Sequence, residues 1–210
     1  MGGVTGFGAF ARARSACGGA RGRPALAAAF ALLAAALATT FAAPAAQAAP
    51  LVRIGLPLAN EADPYARPVG RMLTLLASYT HWPEPHDPLR LCLVEPTDHA
   101  EALDSPAFAG EAGIATTVVT AQAVIGTQCE IVYIGRMSIG QQRSITTAFR
   151  DKPTLTVAEN DPACRSRAMI CLLFEADSLS FRLNIDAVSR SQVRIDPRVL
   201  RMGMARGGGW

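Results

Sequence analysis

The sequence predicts a single compact α/β domain, with a central mixed, largely parallel sheet flanked by helices and stapled by disulfides. Three observations carry that prediction. Short apolar or β-branched runs alternate with helical patterns, the order that builds parallel strands joined by crossovers. Four cysteines follow an export-type leader, and an even count in an exported chain reads as disulfides. Beyond that leader lie about 160 residues, enough for one domain with its own core.

The leader opens with Arg12, Arg14, Arg21 and Arg23 and no acidic residue, continues through ALAAAFALLAAALATTFAA, and closes on Ala46-Gln47-Ala48. A positive n-region, an apolar h-region and an Ala-x-Ala site compose a secretory signal, so residues 1–48 are expected to be cleaved. An uncleaved anchor is the competing reading, because residues 25–43 are nearly long enough to span a bilayer. That run is Ala-rich and the cleavage site follows it at once, which favours cleavage. Losing four arginines leaves 16 basic residues against 17 acidic ones, so the formal charge falls from +3 to −1. The basic character belongs to the leader, and the mature chain has no electrostatic footprint for nucleic acid.

Cys17 goes with the leader, leaving Cys92, Cys129, Cys164 and Cys171. Four cysteines allow three connectivities, and sequence does not choose among them. Cys92–Cys129 and Cys164–Cys171 are favoured by the short span of CRSRAMIC and by the apolar runs at Cys92 and Cys129. A metal site needs further ligands, and His81, His86 and His99 show no ligand-type spacing to either pair. Cys-x-x-Cys, the usual redox form, is absent.

The elements follow in order. Residues 49–64 read as an extended mature N-terminus. YARPVGRMLTLLASYTHWP places Val69, Met72, Leu73 and Leu76 on one helical face and stops at Pro83. LRLCLV is a buried strand, PTDHAEALDSPAF a short helix capped by Thr97 or Asp98, and IATTVVT and CEIVYIG are strands. SIGQQRSITTAF is a helix capped by Ser138, and PTLTVAE a strand. Two apolar runs around ADS suggest a hairpin, one or two helical turns follow, and residues 204–210 read as a loose tail.

No phosphate loop, nucleophile elbow or His-Glu-x-x-His is present, and no catalytic residue, metal or cofactor is assigned. Glu159 and Asp161 could be imagined as a carboxylate pair, but they read as a solvated loop before a staple. His81 and Trp82 read as a helix end packed on the sheet. Arg165 and Arg167 are expected to be exposed in either reading, and could form part of an interaction face. Arg190, Arg194, Arg198 and Arg201 recur at helical spacing, a stripe that Pro197 interrupts.

The order LLASYTHWP, LRLCLV, CEIVYIG, TLTVAE and SFRLNIDAVSRSQVRIDPRVLRM resembles the YfiR family of periplasmic proteins, from about residue 66 to 203. The family's helix-ending Trp-Pro is matched by Trp82-Pro83, and its strand cysteines by Cys92 and Cys129. Its late Phe-Glu-Ile-Asn stands here as Phe181-Arg182-Leu183-Asn184, which reverses a charge. The resemblance implies a periplasmic regulator, not an enzyme, in a YfiR-like domain spanning 65–203. It implies repression of an inner-membrane diguanylate cyclase by binding its periplasmic sensor region, lowering cyclic di-GMP and restraining biofilm formation. It further implies a homodimer and an outer-membrane lipoprotein that sequesters the repressor. Arg182, Val188 and Arg190 are expected to form the partner contact. A small-molecule receptor acting on another membrane signalling protein, such as a histidine kinase, is the alternative.

Overall fold

The computed structural model describes residues 51–201 and the side chains of 56–199. The expected signal at 1–48 and the tail at 204–210 lie outside the described residues. No helix among those described is long and apolar enough to cross a membrane.

The strands are β1 (Leu51–Pro57), β2 (Thr80–His81), β3 (Leu89–Val94), β4 (Ile114–Val119), β5 (Ile131–Ile134), β6 (Leu155–Ala158), β7 (Ile170–Phe174), β8 (Ser178–Leu183) and β9 (Arg194–Ile195). The α-helices are α1 (Ala66–Ser78), α2 (Pro106–Ala112), α3 (Ile139–Ala148) and α4 (Ile185–Ser189). Seven strands form one sheet in the order β1-β8-β7-β6-β5-β3-β4, and β2 pairs with β9 in a separate ribbon. The strands from β7 to β4 run parallel, while β8 and β1 are antiparallel additions. The sheet is therefore mixed and largely parallel, as the alternation of elements predicts.

Strand alternation divides the interior into two layers. Leu91, Leu93, Ile131, Tyr133, Leu155, Val157, Leu172 and Phe181 face one side, where Val69, Met72, Leu73 and Leu76 of α1 cover them. Cys92, Val94, Val132 and Ile134 face the other, against Ile145 and Phe149 at α3. Strands buried on both faces read as continuous apolar runs, which is why LRLCLV and EIVYIG are so plain in the sequence. Helix α3 begins with a capping box, in which Ser138 Oγ accepts from Gln141 N while the Gln141 side chain accepts from Ser138 N.

Within the segment expected to be extended, β1 pairs with β8 at the sheet edge. Three expectations need correction. Helix α1 ends at Ser78, not at Trp82-Pro83, because Thr80 and His81 are drawn into the ribbon with Ile195 and Arg194. Thr80 Oγ1 donates to Leu76 O at 2.7 Å, which satisfies a carbonyl the helix end leaves open. PTDHAEALDSPAF is not one helix but a 3₁₀ turn at Glu101–Asp104 followed by α2. The Ser105-Pro106 step decides this: proline pushes the preceding residue to extended backbone and suits a helix's first turn, so Ser105 is the cap, not Thr97 or Asp98. Finally, the arginine stripe is dispersed: Arg190 closes α4, Arg194 lies in β9, and Arg198 and Arg201 lie in a terminal 3₁₀ turn.

Candidate functional site

Two places concentrate polar residues. The first is where the parallel strands end. The chain leaves β3 on the face of α2 to reach β4, then returns past β3 to β5 and proceeds outward through α3 to β6. Gly135, just after β5, sits so close to the loop after β3 that a Cβ there would run into Pro96 O. Beside this step, Glu159 is almost wholly buried, at 1 % exposure. Its carboxylate accepts from Asp98 N at 2.9 Å, His99 N at 2.7 Å and Tyr133 Oη at 2.9 Å. Burial first, and then the negative charge of Glu159, push the Tyr133 phenol well above its ordinary range, so it stays protonated and donates. His99 also meets Asp63 at 3.0 Å and stacks near Tyr65 and Phe174. The reading of Glu159 and Asp161 as a solvated loop is corrected, because both are buried. They serve different partners: Asp161 Oδ2 accepts from Ser166 N at 2.5 Å, within the loop before β7. Each carboxylate thus holds a loop, Glu159 the one after β3 and Asp161 the one carrying CRSRAMIC.

The second place is that loop itself. It joins β6 to β7 without a helix, and Cys164–Cys171 closes it with a Cα separation of 5.5 Å. The other bridge is Cys92–Cys129, so both favoured pairings are present. Beyond the bridge, Thr146 Oγ1 of α3 donates to Ser166 O at 2.7 Å, Met169 N donates to Thr156 Oγ1 at 3.0 Å, and Ala168 N donates to Ser166 Oγ. Cys164 and Arg167 adopt positive φ, 55° and 65°, the only non-glycine residues to do so among those described. Left-handed backbone costs a side-chain-bearing residue roughly 1–2 kcal/mol, and the anchored loop imposes it twice.

What the loop displays is arginine. Arg165 and Arg167 are exposed, as expected. Arg143 Nε donates to Arg165 O at 2.7 Å, and Arg182 Nε on β8 donates to Pro162 O at 2.9 Å. Arg190 is bonded through Nε and Nη2 to Asp186 Oδ1 at 3.0 and 2.8 Å. The Arg190 hydrogen bond, with added charge from Arg150 and Arg167, holds the Asp186 carboxyl below its ordinary range. Of the expected contact residues, Arg182 is half-buried on the staple side of the sheet and Arg190 is exposed. Val188 is half-buried and packs on the larger core. Arg143 and Arg150 were not anticipated, although a seven-residue spacing at a helix would have put them on one side.

A smaller knot lies by the other bridge. Glu130 accepts from Arg90 N at 2.9 Å and Arg90 Nη2 at 3.1 Å and meets His86 Nδ1 at 2.7 Å, while Trp82 Nε1 donates to Glu130 O. Burial raises its carboxyl pKa, but hydrogen bonds from Arg90 and His86 outweigh that and hold it below the usual value. Trp82 is therefore an anchor on the sheet, as expected, while His81 stays exposed.

Among solved structures, ureidoglycine-glyoxylate aminotransferase from Bacillus subtilis is 13% identical over 66% of this chain, with a TM-score of 0.38. The match spans 39% of that protein's length, and a likeness so slight carries no argument. The profile of the family described as YfiR/HmsC-like matches residues 69–204, from Val69 in the first turn of α1 to just past the terminal 3₁₀ turn. The two disulfides it encloses fit an oxidising compartment. The chain belongs to the YfiR/HmsC-like family.

Proposed function

We propose that this protein is a periplasmic regulatory binding protein, not an enzyme, that represses an inner-membrane diguanylate cyclase by binding its periplasmic sensor region. Family membership supports the cyclic di-GMP setting. The single observation that carries the surface is the arginine face fixed by the Cys164–Cys171 loop, on a domain whose expected mature charge is near zero. In this reading Arg182, whose side chain holds Pro162 O of the loop, and Arg190 contribute to the contact, with Val188 packed on the core beside them. Guanidinium groups held by a rigid loop suit an acidic segment of a partner, because less side-chain freedom is lost on contact. The arrangement extends to a homodimer and to an outer-membrane lipoprotein that withdraws the repressor.

The test is intracellular cyclic di-GMP in the native host with the gene deleted and then restored. A rise on deletion that restoration reverses is the expected result; no change while the protein is present contradicts repression. Crosslinking through the surface from Arg182 to Arg190 then identifies the partner.

A second reading, a small-molecule receptor, is favoured by one feature. A groove of about 860 Å³ lies between α1 and α2, floored by Gly70, Thr74, Ala102 and Phe108 and rimmed by Arg71 and Glu111. A ligand that raises the melting temperature without any cyclase contact would favour this reading.

A further inference from the structure

The arginine face contains a defined recess. It lies between the C-terminal end of α3, the stapled loop and α4, has a volume of about 30 Å³, and is lined by Thr147, Arg150, Arg167, Met169, Asp186 and Arg190 among others. Arg150, Arg167 and Arg190 come from three separate elements, 17 and 23 residues apart in the chain. Only the fold brings them together. Asp186 pairs with Arg190, and neither Arg150 nor Arg167 makes an ion pair among the described residues. Three guanidinium groups outnumber the carboxylates near them, Asp186 in the recess and Asp151, whose charge also reaches Arg190, so positive charge is in excess there. Like charges gathered so closely repel unless an anion sits among them.

The backbone adds an independent sign. Arg167 holds φ at 65°, a conformation in which glycine would be unstrained. Strain kept at a position whose side chain enters a recess points toward use of that side chain. The residues around it are fixed by Thr146 to Ser166 and Met169 to Thr156 hydrogen bonds, so the recess is preorganised.

We propose that this recess binds a single doubly charged oxyanion group, a phosphate, held by Arg150, Arg167 and Arg190. The charge favours such a group, since a phosphate dianion offsets the excess of positive charge at the recess. Guanidinium forks suit tetrahedral oxyanions, and the Thr147 hydroxyl supplies a neutral donor at the rim. The recess is small and open to solvent, so it has no room for a bulky ligand and anything larger than one such group projects outward. This site stands on the recess geometry and does not depend on the identity of a partner protein.

The test is a titration of the disulfide-bonded protein with inorganic phosphate at constant ionic strength, following the arginine Nε–Hε resonances by NMR. The expected result is saturable one-to-one binding that moves Arg150, Arg167 and Arg190 and leaves Arg194 and Arg198 in place. Arg150→Gln and Arg167→Ala should each weaken binding about tenfold, the scale of losing one hydrogen bond to a charged group. Asp186→Asn should tighten it. Arg194→Ala, in the β2–β9 ribbon outside the recess, should leave it unchanged, and unaltered melting temperatures confirm that each variant folds. A parallel titration with glycerol phosphate distinguishes a phosphate monoester from the free ion. Non-saturable shifts spread over all arginines, equal affinity for acetate, or wild-type binding by Arg167→Ala would overturn the assignment.

Discussion

The two disulfides sit in unlike surroundings. Cys92–Cys129 joins β3 to the residues leading into β5, strands already paired in parallel register and packed under α3. Cys164–Cys171 closes a loop with no regular structure, two left-handed residues and a display of exposed arginines. The first reinforces a layer that hydrogen bonds and burial already define. The second stands in for a missing crossover helix, at the place where the chain puts its charge. A staple in the core is thus a matter of stability, and a staple in the loop a matter of shape.

Breaking the first bridge should have the largest effect on folding. Its loop is long, so Cys92→Ala with Cys129→Ala should cost about 4 kcal/mol by the chain-entropy estimate, read as a lower urea midpoint. The shorter loop predicts about 2.5 kcal/mol for Cys164→Ser with Cys171→Ser. The second change should also differ in kind: hydrogen exchange should quicken over residues 160–169 while the strands keep their protection. Equal loosening of the whole sheet by both variants would remove the distinction.

The surroundings of the first bridge also predict an acid limb. Glu130 titrates below its unfolded value, so its contribution is fully present above about pH 4.3 and is lost as pH falls through the lowered folded value. Glu130→Gln should cost about 2 kcal/mol at neutral pH, through loss of charge-assisted bonds to Arg90, and should flatten the decline in stability below that pH. Chemical denaturation across a pH series measures both. The smallest effect belongs to the stapled loop: Arg167→Gly should relieve left-handed strain and raise stability by up to about 1 kcal/mol, seen as a slightly higher melting temperature.

The same contrast explains what could be read in advance. Strands β3, β5 and β6 are legible because burial on two faces forces continuous apolar runs, and Ser138 announces the start of α3 by local chemistry alone. The two-residue ribbon of β2 and β9 is too short to leave a pattern, and it takes Thr80 and His81 from a helix that sequence would extend to Trp82. Glu159 looks like a loop carboxylate because its partners Asp98, His99 and Tyr133 lie 26 to 61 positions away. Arg165 and Arg167 stand out inside CRSRAMIC. Arg143 and Arg150 join them only once α3 packs against the loop.

The most direct measurement is intracellular cyclic di-GMP in a host carrying Cys164→Ser and Cys171→Ser at wild-type protein abundance. If the staple shapes the surface that restrains the cyclase, cyclic di-GMP should rise toward the level of the gene deletion although the domain remains folded. Wild-type cyclic di-GMP, with both bridge positions replaced and the protein present, would contradict it.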